Sequence, residues 1–206
     1  MADRIPPDVH PRNDARLWAM AFARPWPHAF YGRATVTVAR ELLGGYVIHR
    51  TGSGFRVVRL VEVEAYVDDD PASHAFRGPT QRNRSMFLGP GTLYVFRIHQ
   101  VYCANAVTLP GQAVLLRGAE PVVPMEENPS GPGRLARALD IRREHDGFDL
   151  ASSEVRIVPG APHGARVIAG PRVGIREAAE RPLRFSLAGS RWVSSPRPLA
   201  QGGSGA

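Results

Sequence analysis

The sequence contains no lysine; all 26 of its basic residues are arginine. A Schiff base through a lysine amine is therefore excluded, and so is the lysine of a phosphate-binding P-loop. A genome-wide preference for arginine would give the same count, but the chemical exclusion holds whatever its origin. Cysteine is almost as scarce. A single one, Cys103, rules out an internal disulfide framework and any cysteine-cluster zinc site. No apolar run approaches the roughly 18–20 residues that cross a bilayer. The opening stretch MADRIPPDVHPRNDARLWAMAF lacks the basic start, apolar middle and small-residue cleavage site of a signal peptide. These absences lead us to expect a cytoplasmic protein. There is also no HExxH, no histidine pair at helical spacing and no GxSxG nucleophile turn.

What remains is strongly basic. The formal net charge is +7 and the sequence pI about 10.6, which favours a polyanionic partner. Arginine keeps its charge and forks onto phosphate oxygens, so nucleic acid fits the charge. At 206 residues the chain is long enough for one well-filled core, and its many glycines and prolines imply numerous turns.

Residues 1–24, rich in Pro and Arg, read as an extended or poorly ordered arm, residues 25–197 as one domain, and 198–206 as a flexible tail. TVTVARELLGG (35–45) predicts a short helix with a threonine cap and a Gly44-Gly45 stop. YVIHR and FRVVRLVEVEAYV predict two strands around the TGSG turn. Residues 68–91 read as a long polar loop with one helical turn near Ala72 to Phe76. TLYVFRI and VYCANAVTL predict a further strand pair, with AVLLRGAEP as a third partner. GPGRLARALDI suggests a second short helix; EVRIV, ARVIA and PLRFSLAG are late strands. The expected fold class is α+β, a single domain with mostly antiparallel pairing and short helices.

The chemically unusual stretch is LVEVEAYVDDDPASHAFRG, residues 60–78. On a strand, Glu62, Glu64 and Tyr66 share one face while Val61, Val63, Ala65 and Val67 share the other. Carboxylates on an otherwise apolar strand are expensive to bury and so suggest a purpose. Two carboxylates about 6.6 Å apart along one strand stand side by side rather than flanking a substrate. One is therefore read as a general base and the other as a structural partner, held by arginine or backbone N–H groups. The pattern alone barely separates Glu62 from Glu64.

Asp68, Asp69 and Asp70 with either glutamate could instead hold Mg²⁺, as a metal-dependent nuclease requires. An aspartate run at a strand end is more simply a solvated turn, and no metal site is expected. His74 alone is ambiguous, and Cys103 reads as a buried small apolar residue. Tyr66, Phe87, Tyr94, Phe96 and Tyr102 alternate in sequence with Arg77, Arg82, Arg84 and Arg97. Such an array can stack bases and neutralise phosphates, although aromatic strand residues also commonly fill cores.

Taken together, V-E-V-E-A-Y, the His74 loop, T-x-R-N-x-x-M-F (80–87), P-G-x-x-Y-V-F (90–96), Asn105 and L-L-R-x-x-E-P (115–121) resemble the alkyladenine (3-methyladenine) DNA glycosylase family. The resemblance runs on through GPGRLARALDI, PRVGI and RPLRF to GSRWVS, covering about residues 33–195. It implies a curved-sheet domain with a protruding β-hairpin that inserts a side chain into duplex DNA and flips a damaged purine into a pocket. It further implies Glu64 as the base that activates water, and Tyr66, His74, Phe96 and Asn105 as the base pocket. Arg117 would position the water or the target phosphate, and Arg82, Asn83, Arg84 and Arg97 would contact the DNA backbone.

Phe96 stands where many members have tyrosine, so stacking is kept and a hydroxyl is lost. The hairpin is one residue shorter than the common form. His99 is the best match to the intercalating residue, with Ile98 as the alternative. The resemblance implies double-stranded DNA containing damaged purines as partner, no cofactor, no membrane, a monomer and a nucleoid-associated cytoplasmic location. A non-catalytic lesion-binding protein and a metal-dependent nuclease remain the competing readings of the residues themselves.

Overall fold

In the computed structural model of the protein, residues 23–161 and 164–197 are described. The expected N-terminal arm, up to residue 22, and the expected tail 198–206 lie outside the described residues.

Two short helices open the described chain, α1 (His28–Tyr31) and α2 (Thr35–Leu42). On α2 the buried positions Thr35, Val38, Ala39 and Leu42 follow the three-four spacing of one helix face. The threonine cap is not formed. Ala34 occupies the N-cap, and Thr35 Oγ1 is instead buried against Thr108 Oγ1 (2.8 Å) and Gln112 Oε1 (2.6 Å). Gly44, with φ of 83°, turns the chain into the sheet.

The strands are β1 (Tyr46–Thr51), β2 (Gly54–Tyr66), β3 (Leu93–Ile98), β4 (Val101–Val107), β5 (Ala113–Pro121), β6 (Val155–Val158), β7 (Val167–Gly170) and β8 (Arg184–Leu187). They form one curled sheet in the order β3-β4-β5-β2-β1-β6, with β8 joined to β2 and β7 to β8. Every pairing among these strands is antiparallel. The 13-residue β2 is the spine. One edge pairs with β5, while the other changes partner from β1 (through Arg59) to β8 (from Glu62).

Helix α3 (Pro132–Ala138) begins with proline, whose missing N–H is harmless in a first turn. The helical turn anticipated near Ala72 to Phe76 is a run of tight turns, and the short 3₁₀ helix falls later, at Arg84–Phe87.

Val61, Val63 and Ala65 of β2 meet Val38, Ala39 and Leu42 of α2 and Leu135 and Ala136 of α3 in one core. Burial of each such aliphatic side chain is worth about 1.5–3 kcal/mol. The helices thus cover one face of β2 at this point. The other face carries the carboxylates.

Candidate active site

Glu62 and Glu64 are both fully buried. A buried carboxylate persists only where hydrogen bonds or cations replace the lost water, and the two residues meet that requirement differently. Glu62 Oε1 accepts Arg184 Nε at 2.5 Å and Ser194 Oγ at 3.1 Å, and its Oε2 accepts the Ser194 backbone N–H at 2.7 Å. Arg184 is itself fixed by donating to the carbonyls of Ser194 and Pro196.

Glu64 takes the backbone N–H of Val173 on Oε1 at 2.9 Å and the Tyr66 hydroxyl on Oε2 at 3.1 Å. Between the two stands Arg117. Its Nε lies 3.3 Å from Glu62 Oε1 and 3.5 Å from Glu64 Oε1 and donates to Ser194 Oγ at 3.0 Å.

The sheet accommodates Arg117 by a local irregularity. Leu60 faces Ala119, Glu62 faces Gly118 and Val63 faces Leu116, so Val61 and Arg117 fall outside the ladder. The Arg117 carbonyl accepts Gly131 N–H instead of a strand partner. Gly118 is required by close approach, since a Cβ there would lie 2.7 Å from Glu62 Oε2 and 3.0 Å from the Trp192 carbonyl oxygen.

Burial raises the proton affinity of Glu64 above the usual carboxylate range. The Arg117 charge, the Val173 N–H and the Tyr66 hydroxyl offset part of that rise. Desolvation likewise raises the Tyr66 phenol well above its ordinary value, with the neighbouring Glu64 charge adding to it, so the phenol stays protonated and donates.

Glu64 lines a cavity of about 240 Å³. Tyr66, His74, Phe96, Asn105 and Arg117 line the same cavity. His74 enters from the loop after β2, with Nδ1 3.0 Å from the Tyr94 hydroxyl and its ring 4.4 Å from that of Phe96 at 78°. Burial lowers its pKa, which favours the neutral imidazole. Asn105 on β4 is tied to its cross-strand neighbour, Nδ2 donating to the Tyr94 carbonyl at 3.0 Å. Cys103 is buried on the cavity wall, and desolvation pushes its thiol up to about 11, so it stays protonated. The arrangement is a largely apolar, aromatic-walled chamber with one carboxylate and one guanidinium at its polar end.

A family model described as methylpurine-DNA glycosylase matches residues 29–191 of this sequence. The chain belongs to the methylpurine-DNA glycosylase family. Among curated relatives, a protein of Anaeromyxobacter dehalogenans (strain 2CP-1) is 49% identical over 183 residues, covering 84% of this chain and 87% of its own. One from Methanoculleus marisnigri is 44% identical over 191 residues, covering 82% and 97%. One from Rhizobium etli is 41% identical over 193 residues, covering 87% and 94%. All three carry the name "Putative 3-methyladenine DNA glycosylase".

DNA is thus the partner that family membership implies, and the remaining site candidates can be placed against it. The β3–β4 hairpin closes through His99 and Gln100, and His99 adopts φ of 50° at the turn. His99 is exposed at the tip and does not line the cavity, whereas Ile98, 47% exposed, borders its mouth. Arg82, Arg84 and Arg97 are exposed, and Arg82 and Arg97 share a groove with Arg143 that borders the cavity wall at His74, Tyr94 and Phe96. Asn83 is different. It is buried, its Nδ2 donates to the carbonyls of His74 (2.7 Å) and Gly78 (3.1 Å), and its Oδ1 accepts from Thr80. Its amide is spent inside the protein, where it shapes the loop that carries His74.

The aspartate run is also not uniformly a solvated turn. Asp68 and Asp69 are exposed, but Asp70 is fully buried and forked onto Arg172, while Asp69 meets Arg181 at 3.1 Å. Asp69 and Asp70, which a nuclease reading would gather round a metal, pair with arginine. Among the described residues no three His, Cys, Asp or Glu side chains gather as ligands, and no helix is long and apolar enough to cross a membrane.

Val173, Arg172, Arg184 and Ser194 are the site residues that sequence reasoning left without a role. They lie in PRVGI, RPLRF and GSRWVS, segments that share the family resemblance but carry no titratable pattern of their own. A backbone donor such as Val173 N–H leaves no side-chain signature at all.

Proposed function

We propose that this protein hydrolyses the N-glycosidic bond of alkylated purines in duplex DNA, with Glu64 as the base that activates water. The observation that carries this is Glu64 itself: a desolvated carboxylate, held by one backbone N–H and one phenol, at the end of an aromatic-walled cavity. The names of the relatives point to the same chemistry.

In this reading the damaged nucleotide leaves the stack and enters the cavity, its base held among Tyr66, His74 and Phe96. Unstacking costs a few kcal/mol, and least for a damaged or mispaired base, so selection begins before chemistry. An alkylated ring carries positive charge and is already a good leaving group. As it departs, positive charge develops on the sugar. Ionised Glu64 stabilises that charge and takes a proton from the attacking water, a contribution of about 10²- to 10⁴-fold. Arg117 holds the ionised carboxylate in place. Asn105 presents a fixed amide to the base edge, suited to rejecting the exocyclic amine of normal guanine.

Hypoxanthine and ethenoadenine are neutral and lack the ring charge, so they are expected to leave more slowly. Without lysine no lysine Schiff base forms on the abasic product, so the reaction ends at base release and initiates base excision repair. The protein is proposed to act as a monomer, one pocket per lesion. His99, at the hairpin tip, is proposed to occupy the gap left in the duplex, with Ile98 closing the mouth of the cavity, and Arg82, Arg84 and Arg97 to follow the backbone phosphates.

The test is a duplex treated with a methylating agent, incubated with enzyme with and without EDTA and with and without hot alkali. Strand cleavage only after alkali, and unaffected by EDTA, is expected. Direct breaks abolished by EDTA would identify a nuclease, and gel retardation without alkali-labile sites a binding protein.

A further inference from the structure

The two loops that complete the cavity are far apart in sequence and are tied by two ion pairs, an exposed one between Asp69 and Arg181 and a fully buried one between Asp70 and Arg172. Asp70 Oδ1 accepts Arg172 Nη2 at 2.8 Å, Asp70 Oδ2 accepts Nη1, and both side chains are fully buried. Arg172 Nη1 also donates to the Ala65 carbonyl at 3.1 Å, and its guanidinium carbon lies 4.6 Å from the centroid of the Tyr66 ring. On the Asp70 side, Oδ1 accepts the Ala72 N–H, and the chain continues through Ser73 and His74 along the cavity wall. On the Arg172 side, the next residue is Val173, whose N–H donates to Glu64, followed by Gly174 and Ile175 on the same wall.

We propose that Asp70 and Arg172 are a positioning pair for base release, clamping both loops against Tyr66 so that the Val173 N–H and the Tyr66 hydroxyl aim at Glu64. Neither side chain lines the cavity, so the pair acts through Val173, Tyr66 and the His74 loop. Planarity suits arginine to the task. One guanidinium forks onto a carboxylate, reaches a carbonyl and stacks on a ring at once, which a lysine ammonium does not. Positioning of this kind matters because a misplacement of about 1 Å remote from the chemistry can cost about 10²-fold in rate.

The inference rests on Glu64 being the base, and the experiment separates the two. The decisive variant is the double replacement Asp70→Leu with Arg172→Met. It exchanges a neutral ion pair for apolar groups of similar size, a change that often leaves stability intact. It keeps the formal net charge of the protein but removes the Arg172 charge that acts on Glu64, whose other charged and titratable neighbours stay in place: Glu62 and Tyr66 on β2, Cys103 on β4, Arg117 on β5, Arg184 on β8 and His74 on the loop.

Single-turnover base release from methylated duplex DNA, measured against pH, is expected to slow by about tenfold or more. The acid limb should move to higher pH, because a carboxylate that loses the Val173 N–H and the nearby Arg172 charge holds its proton more tightly. A purely structural pair would change melting temperature alone. A folded double variant with the wild-type rate and pH profile overturns the proposal. If the double variant does not fold, Asp70→Asn, which keeps the shape, carries the same rate criterion. Glu64→Gln is run alongside. Wild-type base release by Glu64→Gln would sink the functional reading, whereas a Glu64→Gln variant slowed as expected beside a wild-type-like pair variant sinks only the clamp.

Discussion

Glu62 and Glu64, two residues apart on one face of β2 and equally buried, differ in what holds them. Glu62 is enclosed by Arg184 and Ser194, whereas Glu64 shares only the edge of Arg117 and otherwise rests on a backbone N–H and a phenol at the cavity. One carboxylate is fully compensated and the other is left basic, the pattern expected of a structural partner beside a working base.

The two glutamates should therefore fail differently when each is replaced by glutamine. Glu64→Gln is expected to lose about 10²- to 10⁴-fold in base release while still retarding lesion-containing DNA. Glu62→Gln leaves the buried Arg184 without its carboxylate and should destabilise the protein by about 3–5 kcal/mol. Alkali-labile sites and thermal melting, measured on both variants, distinguish the two outcomes.

Base release should fall as pH falls through the raised pKa of Glu64, with the acid limb above the roughly 4.3 of an exposed glutamate. Stability runs in the opposite sense. The folded state holds this proton more tightly than the unfolded one, so stability declines as pH rises from the unfolded pKa through the folded pKa. Glu64→Gln is thus expected to melt no lower than wild type near neutral pH, with any advantage vanishing in acid. A limb at ordinary carboxylate pH would contradict the assignment.

At the hairpin, His99→Gly places glycine where the backbone is already left-handed, so the turn should survive and gain up to about 1 kcal/mol. Loss of flipping, followed by 2-aminopurine fluorescence beside the lesion, then reports the side chain alone. Ile98→Ala should spare that signal and slow base release instead. The reverse result would make Ile98 the inserted residue.

Asn105→Ala removes the fixed amide and its bond to the Tyr94 carbonyl. Release of normal guanine from undamaged duplex is expected to rise by about tenfold, within the roughly 1–3 kcal/mol of an unpaired buried polar group. An unchanged ratio of damaged to normal guanine release would remove Asn105 from discrimination.

Gly118→Ala tests the packing beneath the site. Its Cβ would collide with Glu62 and the Trp192 carbonyl, so a loss of about 1–3 kcal/mol in stability is expected from thermal or denaturant melting. An unchanged melting temperature would show that this wall yields easily.

Much of this molecule is legible along the chain. Two-residue alternation marks β2 and its acidic face, the three-four spacing of Val38, Ala39 and Leu42 marks α2, and turn residues separate the strands. These signals are local, because face and period follow from backbone geometry over a few residues. The threonine cap failed because a hydroxyl near Thr108 and Gln112 has better buried partners than its own helix end. Asp70 read as solvated because nothing near it in sequence announces Arg172, 102 positions away.

The sequence by itself therefore determined where most strands and helices lie along the chain, the absence of lysine chemistry and the presence of two carboxylates on a strand that should not bury them unaided. Only the tertiary structure decided which carboxylate is neutralised and which faces the cavity. Those roles depend on Arg117, Val173, Arg184 and Ser194, between 53 and 132 residues away along the chain. Such contacts arise when the sheet curls closed and brings β5, β8 and the 171–175 loop against β2. A carboxylate's charge state follows from that enclosure, and no local pattern contains it.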